Sequence, residues 1–244
     1  MKGLALDHPQ QVMLHRHGVT ENRRFYIVDD DGRRYGLLRD GRLWQVAADY
    51  DAESERLSIR LPDGSVAEGE VALDGELTTD FYGRIVLGRV VEGAWSEALT
   101  KLVGRPLRLI QSVEPGAAVD RGRGGVSLAS DASLAELARQ VDEEVDGRRF
   151  RMLFSVDGCE PHEEDRWLGR EVRIGPARVR MLGAVGRCAI TTQNPATGVR
   201  DIDTLAAIKA YRGQNPKTKE LDFGIFGEVV EPGLVRVGDP VEPL

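Results

Sequence analysis

The sequence predicts a mainly β protein with a few α-helices (α+β), and three observations support this fold class. Short runs rich in β-branched and aromatic residues recur along the chain, and turn residues separate them. Apolar residues at helical spacing are confined to a few segments in the remainder of the chain. Hydrophobic residues make up 41% of the 244 residues, which is enough to form a core.

The first part of the chain, to about residue 90, is predicted to be rich in strands. Hairpin and turn signals such as Asp31-Gly32 and Asp63-Gly64 separate the runs. Short strands at this spacing indicate a small barrel or sandwich. The predicted strands cover residues 12–15, 24–28, 35–38, 43–46 and 57–61.

The second part of the chain mixes strands with helices. Trp95, Leu99 and Leu102 share one face of a predicted helix that ends before Gly104. A second helix is predicted to begin with a capping box, and a third to follow an aspartate cap. The capping box is formed by Ser133 and Glu136, the third cap is Asp203, and further strands are predicted at 107–110, 150–156, 171–175 and 177–181. We place a domain boundary near residue 95, which divides the chain into 1–94 and 95–244.

Charge and composition exclude several classes of function. The net charge of −7 does not favour a nucleic-acid or anionic-membrane partner. No run reaches the ~18 apolar residues of a transmembrane helix. The N-terminus has Asp7 and Pro9 where a signal peptide needs an apolar core, so we expect a cytoplasmic protein. Cys159 and Cys188 are too few cysteines for a disulfide framework.

Arginines cluster in this acidic chain, which suggests a small anionic ligand. Arg121 and Arg123 lie in a glycine-rich stretch, where backbone N–H groups and two guanidinium groups could hold an oxyanion. Arg148, Arg149 and Arg151 form a second group. The alternative for each of them is a solvated surface charge.

The most informative stretch is residues 186–198, in which Cys188 begins a β-branched run. The run ends in the turn signal Asn194-Pro195-Ala196-Thr197-Gly198. This pattern predicts a short buried strand with a thiol near one end. A thiolate there could bind a soft metal, and the alternative is that Cys188 is a small core residue.

The same stretch resembles a known signature. Arg187-Cys188, Thr191-Thr192 and Asn194 to Gly198 are similar to the R-C-x-x-T-[TV]-[DN]-P-x-T-G signature of the MOSC family. Several other segments match that family and its amidoxime-reducing group. They are Lys2-Gly3-Leu4, Gly18 to Phe25, Ser130 to Leu134, Glu164-Asp165 with Trp167, Tyr211-Arg212 and Gly238-Asp239. The resemblance implies a MOSC β-barrel domain packed with a smaller N-terminal β-barrel-like domain.

The resemblance also implies a cofactor and a site. In the family this cysteine is the protein ligand to molybdenum, so Cys188 is the expected catalytic residue and metal ligand. Met152 and Leu153 stand where the family has Pro-Asn, so one polar cofactor contact is missing. We expect Asp165 to orient a site arginine such as Arg187. The residues expected to bind the molybdenum cofactor (molybdopterin) are Lys2, Arg23, Arg121, Arg123, Arg151, Arg187 and Asn194.

The resulting hypothesis is a molybdenum cofactor-binding oxidoreductase that reduces N-hydroxylated small molecules. The chain has no further cysteines for an iron–sulfur cluster, so its electrons would come from a separate reductase. A second hypothesis is a non-catalytic carrier that delivers the cofactor, or sulfur as a persulfide on Cys188. A third is a plain β-barrel binding protein in which Cys188 only packs in the core.

Overall fold

The computed structural model describes residues 1–114, 119 and 125–244, which group into two compact units. The first unit comprises Met1–Asp7, Thr20–Gly122 and Ala196–Gly198, and the second comprises His8–Val19, Arg123–Pro195 and Val199–Leu244. The predicted Arg121 and Arg123 lie outside the described residues. Each unit is therefore built from segments that are distant in the sequence.

Strands dominate the described residues, and three α-helices accompany them, so the predicted fold class is confirmed. The helices are α1 (Ala94–Val103), α2 (Asp131–Val141) and α3 (Thr204–Arg212), with 3₁₀ helices η1 (Gly41–Gln45), η2 (Gly147–Phe150), η3 (Glu163–Trp167) and η4 (Ala189–Thr192). The strands are β1 (Gln11–His15), β2 (Gly18–Val19), β3 (Phe25–Asp29), β4 (Arg34–Tyr35), β5 (Ala47–Asp51), β6 (Arg56–Arg60), β7 (Val66–Glu70), β8 (Ala72–Phe81), β9 (Arg84–Glu92), β10 (Leu107–Ser112), β11 (Val126–Ser130), β12 (Phe154–Val156), β13 (Glu171–Ile174), β14 (Ala177–Gly186), β15 (Asp222–Glu231), β16 (Gly233–Arg236) and β17 (Val241–Pro243).

The first unit contains two antiparallel sheets, ordered β4-β3-β10-β9-β8 and β5-β6-β7. Helix α1 joins this unit because the indole Nε1 of Trp95 donates hydrogen bonds to the carbonyls of Leu57 (3.2 Å) and Ala67 (3.0 Å). The predicted boundary near residue 95 thus falls inside the unit. The division into 1–94 and 95–244 stays a prediction about independently folding domains.

The second unit carries a six-stranded sheet in the order β12-β11-β15-β14-β13-β17 and a three-stranded sheet β16-β1-β2. β11 and β12 run parallel, whereas β14 and β15 form a long antiparallel pair. One core cluster of this unit joins α2, α3, η2 and β15. In it, the rings of Phe150 and Phe223 stack with centroids 4.3 Å apart.

Two local predictions in the first unit are wrong. Residues 43–46, predicted as a strand, mostly belong to η1, because the Asp40 carboxylate accepts from the backbone N–H of Arg42 and caps a helical turn. The strand predicted at 35–38 shrinks to Arg34–Tyr35. No helix in the described ranges is long and apolar enough to cross a membrane.

Candidate functional site

Cys188 is exposed and lies at the cap position of η4, directly after β14 and Arg187. Its carbonyl oxygen accepts hydrogen bonds from the backbone N–H and the hydroxyl of Thr191, both at 3.1 Å. These bonds turn the β-branched run into a 3₁₀ helix, so the predicted buried strand is wrong. The reading of Cys188 as a core residue is also wrong, since its side chain faces solvent on an ordered turn.

Arg187 is bonded to main-chain carbonyls. Its guanidinium donates from Nε to the carbonyl of Phe223 (2.8 Å) and from Nη1 to the carbonyl of Phe150 (2.9 Å), and Nη2 lies 2.9 Å from the sulfur of Met152. The arginine that Asp165 pairs with is Arg212, at 2.6 Å, and not Arg187. Arg187 therefore ties the segment before Cys188 to β15 and to the turn after η2.

Arg151 is at the C-terminal end of η2 in a left-handed conformation with φ 52° and ψ 38°. This turn interrupts the strand predicted at 150–156, which begins only at Phe154. Leu153, at the position of the family's asparagine, packs against the main core cluster of the unit. Its side chain is apolar and partly buried, so this position presents no polar group.

Asn194 joins an ion pair between the buried Arg149 and the more exposed Asp201, which the sequence did not predict. Arg149 is 2% exposed and binds both carboxylate oxygens of Asp201, with distances of 2.7 and 2.8 Å. The Asn194 side-chain amide donates to the same carboxylate at 2.8 Å. The hydrogen bonds from Arg149, with that of Asn194, lower the pKa of Asp201 to about 2. Charge pattern alone gave no signal, because 52 residues separate Arg149 from Asp201.

Steric crowding explains why the last residue of the motif is a glycine. Gly198 has φ +73°, and a Cβ built on it would lie 2.0 Å from the carbonyl oxygen of Gly41. Next to it, the side-chain amide of Gln45 donates to the carbonyl of Thr197 at 3.1 Å. Close backbone approach therefore excludes any side chain at this position.

Lys2 and Arg23, also predicted to bind the cofactor, belong to the first unit. The backbone N–H of Lys2 donates to the carbonyl of Phe25 at 2.9 Å, which anchors the N-terminus beside β3. Arg23 adopts a positive φ of 60° in the turn before β3. Their role as cofactor ligands stays a prediction.

A second polar cluster of this unit surrounds His162, the cap residue of η3. The ring is half-buried, its Nε2 lies 3.1 Å from the hydroxyl of Tyr211, and its Nδ1 contacts a guanidinium nitrogen of Arg212. Burial and the charge of Arg212 lower the pKa of His162, and burial raises the pKa of Tyr211 to about 12. His162 is therefore a half-buried member of a polar cluster rather than a solvated side chain.

The described side chains place no group of three or more His, Cys, Asp or Glu residues where they could together hold a metal ion. Cys188 is a single soft donor, and it is exposed. This donor set fits a metal that brings its remaining ligands with it, and does not fit a metal held by protein side chains alone.

The fold and site define a mainly β protein with one exposed cysteine on the turn that follows β14 and Arg187. Residues 122–242 match the MOSC domain, and the chain belongs to the MOSC domain family. Among its relatives are proteins called mitochondrial amidoxime reducing component 2 from Macaca fascicularis (38% identical over 120 residues) and Homo sapiens (39% over 123 residues). Each of these matches covers 47% of this chain and 35% of the relative.

A longer and weaker match extends to the N-terminal part. Mitochondrial amidoxime-reducing component 1 from Danio rerio is 26% identical over 249 residues, covering 93% of this chain and 75% of the relative. Among solved structures, YiiM from Geobacillus stearothermophilus is 13% identical with a TM-score of 0.37, over 71% of this chain and 73% of that one. In the two relatives called amidoxime reducing component 2, the matched region is about a third of their length.

Proposed function

We propose that this chain binds a molybdenum cofactor through Cys188 and acts as an oxidoreductase on N-hydroxylated small molecules. The observation that carries the proposal is the exposed thiol of Cys188 inside the family signature, on a turn fixed by Thr191. The names of the relatives, which are amidoxime reducing components, support the substrate class. A separate reductase would supply the electrons, and the predicted cytoplasmic location stays a prediction.

The roles of the chain's own residues follow from their contacts. Cys188, exposed at the cap of η4, would supply one thiolate ligand. Arg151 follows η2 directly, and we propose that it binds the anionic part of the cofactor. Lys2 and Arg23, together with Arg121 and Arg123, are proposed for the same part of it. When bound, the cofactor supplies the two-electron redox chemistry.

A metal analysis of the purified protein tests the proposal. In protein produced with ample molybdate, we expect molybdenum close to one per wild-type chain and a loss of roughly tenfold or more in Cys188→Ala, because the thiolate is the only ligand that we assign to the chain. Cys159→Ala is the matched control, since it also removes one thiol. Equal molybdenum in wild type and Cys188→Ala would contradict the proposal.

The second candidate function, a carrier of cofactor or persulfide sulfur, is favoured by one observation. Leu153 replaces a polar cofactor contact with an apolar side chain that packs in the core. Mass spectrometry separates the two functions, because a carrier of sulfur predicts a persulfide of about +32 Da on Cys188 without bound metal. Turnover of an amidoxime with a supplied electron donor would instead support the oxidoreductase.

A further inference from the structure

Arg149 is a buried cation that bridges two segments of the second unit. Its side chain is 2% exposed and lies in η2, whereas its partner Asp201 follows the signature motif by three residues. A buried guanidinium without a partner would be strongly unfavourable, so the bidentate pair with Asp201 fixes both segments together. The pair therefore sets the position of η2 relative to the residues that follow the signature motif.

Asn194 strengthens this pair. Its amide nitrogen donates to Oδ2 of Asp201, and the backbone N–H of Ile202 donates to Oδ1 at 2.8 Å. With the two bonds from Arg149, the carboxylate accepts four hydrogen bonds. The side-chain nitrogen of Asn194 is thus directed at Asp201.

A second guanidinium binds the C-terminal residue of η2. Arg187, the residue before Cys188, donates to the carbonyl of Phe150, the last residue of η2. Arg151 follows immediately and takes its left-handed conformation there. The turn that carries Arg151 is consequently fixed to both sides of the motif, through Arg187 before Cys188 and through Asp201 after it.

We propose that Arg149, Asp201 and Asn194 are positioning residues that hold the Cys188 segment against the turn carrying Arg151. Asn194 acts in this role through its hydrogen bond to Asp201. The proposal rests on the proposed function only in the identity of the bound cofactor. The alignment of the two segments is a property of the chain itself and can be measured without the cofactor.

Native-state hydrogen exchange of the cofactor-free full chain tests the positioning. In Asp201→Asn we expect amides of 147–153 and 188–202 to exchange about tenfold faster, because a charge-assisted pair is lost, while amides of β13 keep their wild-type rates. Asn194→Ala removes one hydrogen bond and should give a smaller increase in the same segments. Glu242→Gln, which breaks an exposed pair with Arg173, is the control and should change neither segment.

The outcomes are separable from those of the proposed function. Unchanged exchange in 147–153 and 188–202, or an equal increase in β13, would overturn the positioning role. Molybdenum content is then compared for wild type and Asp201→Asn, with Asp201→Glu as the conservative rescue. We expect a severalfold loss in Asp201→Asn and partial recovery in Asp201→Glu, and wild-type content in Asp201→Asn would also overturn the role. A wild type without molybdenum would refute the proposed function, while the exchange result would still decide the positioning.

Discussion

His162 has a protonation state that its contacts determine. The guanidinium of Arg212 can only donate hydrogen bonds, so Nδ1 of His162 must be an unprotonated acceptor. The proton of the neutral ring is then on Nε2, which faces the hydroxyl of Tyr211. The edge of the ring also packs on Phe223, whose carbonyl accepts from Arg187. The charged and titratable groups that face the ring are Glu136, Glu164, Asp165, Tyr211 and Arg212.

This arrangement predicts a pH dependence of the free energy of unfolding. Because the pKa of His162 is lower in the folded chain than in the unfolded chain, the unfolded state binds more protons as the pH falls below about 6.5. The contribution of His162 is therefore present above that pH and is lost progressively as the pH falls toward the folded pKa. We expect His162→Asn, whose Oδ1 can accept from Arg212 but does not titrate, to lose less stability than wild type between pH 7.5 and 5.5.

Urea unfolding at both pH values measures this difference. His15→Asn is the matched control, because it removes a histidine of β1 elsewhere in the same unit and leaves the contacts of His162 intact. An identical loss of stability in wild type and His162→Asn would contradict the assignment. The sequence could not reveal this site, because Tyr211 and Arg212 reach His162 from about fifty positions along the chain.

At the scale of elements, helix α2 lies where the sequence predicts a helix, but its N-terminal cap is a different residue. The sequence predicts a capping box at Ser133 and Glu136, but the helix begins at Asp131 and Ser130 is its cap. The carboxylate of Glu164, which is fully buried, accepts from the hydroxyls of Ser130 (3.0 Å) and Ser133 (2.8 Å). A side chain supplied from η3 therefore completes a helix terminus more than thirty residues away.

Ser130→Ala is expected to be strongly destabilising. The change removes the cap and also one donor to the buried carboxylate of Glu164, so the free energy of unfolding should fall by roughly 2–4 kcal/mol. Asp203→Ala removes the cap of α3 from an exposed position and should cost only about 1 kcal/mol. Urea unfolding of both variants gives the comparison. A smaller loss for Ser130→Ala than for Asp203→Ala would contradict the role of Glu164.

Other elements show which parts of the fold the sequence could predict. Strands β3 and β10 and helices α1 and α3 were predictable, because their apolar spacing is local. The runs at 43–46 and 189–192 have the composition of strands but form helical turns, because a side chain or hydroxyl bonds to nearby backbone. In the site, the cysteine motif was predictable, whereas the partners of Arg187 and Asn194 depend on tertiary contacts.

At the scale of the whole molecule, the two units are interleaved along the chain. Residues 8–19 belong to the second unit, and β1 pairs with β16, about 220 positions later. In the first unit, β10 lies between β3 and β9 and pairs with both. The sequence-based boundary near residue 95 would separate β10 from these partners, and α1 from the two carbonyls that accept from Trp95.

This interleaving predicts the behaviour of fragments. A fragment of residues 1–94 lacks β10 and Trp95, so it would expose the edges of β3 and β9 and leave the core of the first unit open. We expect it to show no cooperative unfolding transition by circular dichroism. The longer fragment 1–122 restores both elements and is the matched comparison, for which we expect a cooperative transition in urea. Cooperative unfolding of 1–94 with the same midpoint as 1–122 would instead support an independent domain ending near residue 95, since β10 would then contribute nothing to the stability of the sheet in which it is central.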